Sequence, residues 1–128
     1  MPELNSRFLF TIRVTVDLLH DVGETPFGTR HIDILGDGSF EGPKFKGTVL
    51  GGMDQKIFRT DGAMNPNVRL ILKTDDDALI YTYYTGVRYG TAEVMQRIAD
   101  GEAVYPSEYY LRNTPYFETS VPQCDWIN

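Results

Sequence analysis

Arg7-Phe8-Leu9-Phe10-Thr11-Ile12-Arg13-Val14-Thr15-Val16-Asp17 puts Phe8, Phe10, Ile12, Val14 and Val16 on one side of an extended chain. Arg7, Thr11, Arg13, Thr15 and Asp17 fall on the other, with Leu9 the one exception. Successive side chains of a β-strand point to opposite faces, so a sustained period of two predicts a strand with one wet and one dry face. Two glycines and a proline in Asp21–Gly28 predict a loop after it.

Further strands follow. Arg30 to Leu35 sets Ile32 and Ile34 against His31 and Asp33. Ser39 to Leu50 reads as strand broken at Gly42-Pro43, because proline donates no ladder hydrogen bond. Asp54 to Thr60 is a short strand. Asn67 to Thr74 and Ala78 to Val87 form a hairpin around Asp75-Asp76-Asp77, whose short side chains bond nearby backbone amides. Tyr109 to Asn113 is the last full strand, and Tyr116 to Val121 is extended. Gly36-Asp37-Gly38, Gly51-Gly52 and Asp61-Gly62 read as turns. One helix is expected: Thr91 as N-cap, Glu93 in the first turn, Val94, Met95 and Ile98 on one side, and Gly101 at its end. At about three turns it depends on docking against the sheet. Many short strands with a single helix predict a barrel or sandwich, and a barrel can hold one small ligand.

The 128 residues suffice for one domain, spanning 1–128, with its own core. A net charge of −6 with scattered basic residues argues against nucleic acid and anionic membranes as partners. The single cysteine, Cys124, forms no intrachain disulfide and reads as a small hydrophobe. The N-terminus shows no secretory pattern, and no apolar run reaches the roughly 20 residues of a membrane span, so the cytoplasm is the expected location.

No phosphate loop, dinucleotide turn or nucleophile elbow is present. His20, His31 and Cys124 are too scattered for a zinc set. The aspartate triplet lacks the spacing of a calcium loop. Neither metal nor cofactor is expected. Chemical interest falls on Tyr81 and Tyr83, which share a strand face, on Tyr110, Arg112 and Thr114 with Glu118 shortly after, and on Asp54. If these faces point into a barrel they make a pocket for an oxygen-bearing ligand. The alternative is an Arg112–Glu118 ion pair closing the barrel end and tyrosines serving as core.

Several stretches together resemble the DUF3237 family, also called UPF0311. These are Gly23-Glu24-Thr25-Pro26, Gly42 to Leu50 with Gly51-Gly52 and Asp54, Arg59-Thr60-Asp61-Gly62, Ala78-Leu79-Ile80-Tyr81 and Gly86-Val87-Arg88-Tyr89-Gly90. The most specific is Pro106 to Thr119, continued by Trp126-Ile127-Asn128. The resemblance implies a mostly β chain: a single small antiparallel β-barrel shaped like allene oxide cyclase and dirigent proteins, with one short helix, no assigned activity and a tendency to form homo-oligomers. Three departures stand out. A proline expected before Gly51-Gly52 is missing, Asp77 replaces a hairpin glycine, and relatives continue past the Trp-x-Asn motif, so an open strand edge is expected after Asn128.

The expected function is binding of a small hydrophobic, oxygen-bearing molecule in the barrel. A cofactor-independent isomerase, cyclase or lyase would use Glu118 or Asp54 for proton transfer and Arg112 and Arg88 against negative charge. Tyr81, Tyr83, Tyr110 and Trp126 would contact the ligand. The alternatives are a binding barrel without chemistry and a structural, oligomeric assembly protein.

Overall fold

The first strand starts later and runs further than the stretch quoted above, and register shifts after Val14 and Val16 break its alternation. In the computed structural model, which describes residues 1–128, β1 spans Thr11–Thr25 and reverses over Pro26 and Phe27 into β2, Gly28–Glu41. The Thr25 hydroxyl holds this turn: it accepts from the Phe27 amide at 3.1 Å and donates to the Gly28 carbonyl at 2.9 Å. The expected loop at Asp21–Gly28 is therefore mostly ladder. The chain continues through β3 (Lys46–Phe58), β4 (Met64–Asn65), β5 (Asn67–Thr74), β6 (Leu79–Tyr89), the helix α1 (Ala92–Ala99) and β7 (Tyr110–Glu118). Two short 3-10 turns, Pro106–Glu108 and Pro122–Ile127, precede and follow β7.

All pairings are antiparallel. β1 pairs with β2, β2 with β3, β3 with β5, β5 with β6 and β6 with β7, while the short β4 joins the ends of β3 and β6. The seven strands form one barrel-like sheet that is not strictly closed, since β1 and β7 share no ladder. The seam between them is crossed by aromatic contact, Phe10 lying edge-on to Phe117 with ring centroids 5.9 Å apart.

Two expected turns lie inside strands. Gly36-Asp37-Gly38 belongs to β2 and Gly51-Gly52 to β3. Glycine here makes a bulge instead of a reversal. The register of β3 against β5 shifts between Val49 and Gly51, and Gly51 has φ +117°, a conformation L side chains rarely adopt. The last strand also outruns expectation, continuing through Pro115 to Glu118. Strand β7 lies at the rim of the sheet, where a missing donor is tolerated.

The helix begins as expected, with the Thr91 hydroxyl accepting from the Val94 amide at 3.2 Å, and Val94 is its buried residue. The core sits in the half of the barrel around the β5–β6 hairpin: Leu35, Phe40, Val49, Val68, Leu70, Leu72, Ala78, Ile80 and Cys124. Phe10, Phe40 and Phe45 meet edge to face at 5.3–5.7 Å at that end. Asp77 occupies the left-handed region at φ +68°. No helix is long and apolar enough to cross a membrane.

A Cβ at Gly51 would stand 3.0 Å from the Leu35 carbonyl oxygen in a strained conformation. Gly51→Ala is expected to lose about 1–3 kcal/mol in urea denaturation; an unchanged midpoint would show that the bulge does not require glycine.

Candidate functional site

Residues directly opposite in an antiparallel ladder lie on the same face, so the register reads out the barrel interior row by row. Leu35, Gly52, Leu70, Thr82 and Phe117 form one row, with Leu70 and Thr82 buried. The next row toward the other end is different in kind. Leu19 faces Asp33, Asp33 faces Asp54, Asp54 faces Val68, Val68 faces Tyr84 and Tyr84 faces Pro115. Beyond it His31 faces Lys56, and Phe58, Met64, Arg88 and Leu111 follow. One half of the barrel is apolar; the other encloses two carboxylates, two cations, an imidazole and a phenol.

Strict alternation from the buried Val49 would turn Gly51, Met53 and Gln55 inward. The extra residue at the Gly51 bulge reverses the faces, so Gly52, Asp54 and Lys56 point inward instead. Strand β2 makes the same change between Gly38 and Leu35, which brings Asp33 and His31 inside.

Asp33 is 3% exposed, and its Oδ2 takes a hydrogen bond from Lys56 Nζ at 2.8 Å. The Asp54 carboxylate accepts from the Asn67 amide at 3.1 Å. Burial nonetheless pushes the Asp54 pKa above the ordinary carboxyl value, aided by the Asp33 charge; the Asn67 amide, Lys56 and Arg88 oppose the rise. Burial lowers the Arg88 pKa, while Tyr109, Asp54 and Asp33 counter it. Burial, and then the Asp54 charge, raise that of Tyr84. His31 Nε2 lies 3.5 Å from Asp21 Oδ1, and its ring meets the Phe58 ring edge-on at 5.0 Å.

An apolar groove of about 370 Å³ opens at the β1–β7 seam, lined by Leu9, Phe10, Ile12, Tyr84, Pro115 and Phe117 among others. Tyr84 thus joins the groove to the polar half. Larger hollows lie beside Arg13 and Glu41 (about 580 Å³) and beside Lys44 and Trp126 (about 500 Å³).

Of the residues singled out in the sequence, Asp54 and Arg88 come together inside. Tyr81, Tyr83, Tyr110, Arg112 and Glu118 lie on the outer face, because the buried Ile80 and Thr82 fix the opposite face of β6 as the inner one. Tyr83 stacks on Tyr116 at 5.2 Å, close to Tyr81 and beneath Arg69. Arg112 lies over Tyr110 and donates to the Leu111 carbonyl, forming no ion pair with Glu118. Trp126 sits at the opposite, apolar end, against Phe45 and under Lys44. The Tyr81, Tyr110 and Arg112 faces thus turn away from the interior, and Asp33, Asp54, Lys56, Tyr84 and Arg88 occupy the inner face instead. The shared face of His31 and Asp33, opposite Ile32 and Ile34, was the signal for its missing members.

Residues 4–128 match the family described as "Protein of unknown function (DUF3237)". A UPF0311 protein of Clostridium acetobutylicum is 35% identical over 99% of this chain and 82% of its own. A conserved protein of unknown function from Rhodopseudomonas palustris superposes with a TM-score of 0.94 at 31% identity, covering 99% of this chain and 84% of that one. A "beta-barrel like protein" from Acinetobacter baumannii gives a TM-score of 0.75 at 33% identity, covering 98% and 85%.

Two outcomes follow from the electrostatics. Lys56→Met strands the Asp33 carboxylate in the interior and is expected to cost about 3–5 kcal/mol in urea denaturation at neutral pH, most of it restored by adding Asp33→Asn. A carboxyl with a raised native pKa holds its proton more tightly when folded. Its contribution to stability is present below the unfolded pKa and lost as pH rises through the folded one. Asp54→Asn should therefore melt higher than wild type at neutral pH, and the gap should close as pH falls into the unfolded carboxyl range. A lower melting point at neutral pH would contradict the desolvation.

Proposed function

The chain belongs to the DUF3237 (UPF0311) family, whose function is unknown, and we propose that its barrel binds an apolar, oxygen-bearing small molecule and moves a proton on it through Asp54. The observation that carries this reading is a desolvated inward carboxyl near a guanidinium and a phenol, with that phenol, Tyr84, also lining an apolar groove. Desolvation brings a carboxyl toward the pKa range useful for proton transfer near neutrality. Arg88 offsets negative charge developing on the ligand oxygen, Tyr84 orients it, and Phe10, Ile12 and Phe117 hold its apolar body. Glu118 and Arg112 take no part, since both lie outside.

A second reading, self-assembly, is favoured by one observation. Tyr83, Tyr89, Tyr110 and Tyr116 are exposed on the outer face of β6 and β7, and large aromatic patches mark interfaces.

Native mass spectrometry of protein purified from cells, followed by denaturation, tests both. The expected result is a retained apolar molecule bearing oxygen, still present on Asp54→Asn and reduced roughly tenfold or more on Arg88→Met, the loss of one buried charged hydrogen bond. An oligomer of empty wild-type chains would transfer weight to assembly.

A further inference from the structure

The polar half of the barrel leaves three buried polar atoms without a partner: His31 Nδ1, Asp33 Oδ1 and Arg88 Nε. A buried polar atom left unbonded costs about 1–3 kcal/mol, so three in one half of the barrel demand an explanation. Asp33 is the most telling. It is 3% exposed, it faces inward beside Asp54, and its other oxygen is already bonded to Lys56. The Asp33 and Asp54 carboxylates both act on the Arg88 guanidinium, so the three groups share one neighbourhood.

Their chemistry defines a complement. A carboxylate oxygen only accepts and a guanidinium nitrogen only donates. A ligand that fits both must offer one donor and one acceptor. The charges point the same way: two carboxylates balance Lys56 and Arg88, and an anionic head group would meet both carboxylates.

Resting on the reading that this half of the barrel is the ligand site, we propose that it recognises an uncharged head group with a hydroxyl beside a carbonyl, an α-hydroxy ketone. The hydroxyl donates to Asp33 Oδ1, and the carbonyl oxygen accepts from Arg88 Nε–H. The apolar remainder occupies the groove at the β1–β7 seam. Such a head group also gives Asp54 a proton to move. The carboxylate takes the hydrogen from the carbinol carbon, the C–H electron pair becomes the C=C bond of an enediolate, and the former carbonyl oxygen holds the negative charge against Arg88. Return of the proton to the carbinol carbon regenerates the ketone; its delivery to the other carbon, with the hydroxyl proton passing by way of Asp33 to the former carbonyl oxygen, gives the isomer, and no oxidant or reductant is consumed.

The test uses three probes: α-hydroxyacetophenone, acetophenone, which lacks the hydroxyl, and mandelate, which is an anion. Each is titrated into nitrogen-15-labelled protein while the Arg88 Nε–H resonance is followed. The hydroxy ketone is expected to shift that resonance and to bind roughly tenfold or more tightly than acetophenone, the loss expected when a buried acceptor stays unpaired. The preference should vanish in Asp33→Asn. Because that variant also strips Lys56 of its partner, Arg88→Lys, which keeps the charge and loses the Nε–H, serves as the second variant and should weaken binding by a similar factor. In deuterium oxide the wild type, and not Asp54→Asn, should exchange the carbinol hydrogen. Equal binding of acetophenone, or tighter binding of mandelate, overturns the head-group assignment and leaves the ligand site standing. No shift with any probe shows that the unpartnered atoms serve water alone. If the purified protein is then also empty by native mass spectrometry, the ligand reading falls with it.

Discussion

The reversal of strand faces at the Gly51 bulge is the constraint on which the rest of this molecule depends. Below it, β3 turns Val49 toward Leu72 in an ordinary apolar core; above it, the same strand turns Asp54 and Lys56 into the barrel. Strand β2 changes face alongside, so Asp33 meets Asp54 across the ladder. Strand β6 keeps strict alternation throughout and contributes Ile80 and Thr82 to one half, Tyr84 and Arg88 to the other. One inserted residue in a long strand thus converts charge that would be solvated into charge that is enclosed.

Enclosing charge is costly, and the barrel offsets that cost only in part. Lys56 satisfies one oxygen of Asp33, and the Asn67 amide satisfies one of Asp54. The remaining groups stay desolvated or unbonded. A replacement of the cluster by apolar side chains of similar volume would usually be neutral or stabilising. Local destabilisation of this sort is the ordinary signature of a site kept for chemistry or recognition. The apolar half, with Phe10, Phe40 and Phe45 packed edge to face, supplies the stability against which it is held.

Much of the fold was legible in the residue pattern. Period-two alternation at Val68–Leu72, the aspartate turn after Thr74 and the Thr91 cap all read correctly, because each is a local preference; the first strand was found, but it begins at Thr11 and a register shift after Val14 turns Val16 outward. Glycine was the main source of error. Gly-Asp-Gly and Gly-Gly mark reversals and bulges alike, and only the partner strand decides which. The site was legible in part for the same reason. Asp54 and Arg88 stood out as residues, but which face of a strand is inner depends on its ladder neighbours. Tyr81, Tyr110 and Arg112 looked chemically richer than Asp33 and His31, yet the burial of Ile80 and Thr82 sends the former outward. An aromatic on a sheet surface costs little when it can stack, as Tyr83 does on Tyr116.

The Phe10–Phe117 contact has a kinetic consequence. Every ladder encloses far less chain than the seam does, the widest gap between paired strands being residues 90–109 between β6 and β7. The seam alone ties the start of the chain to its end. Loop-closure entropy grows with the length enclosed, and no backbone hydrogen bonds repay it there. The seam is therefore the last part of the barrel to assemble and the first to part. On the proposed ligand reading, a molecule reaching Tyr84 through the seam enters and leaves while the ladders stay intact, so its exchange rate is decoupled from the rate at which the protein unfolds.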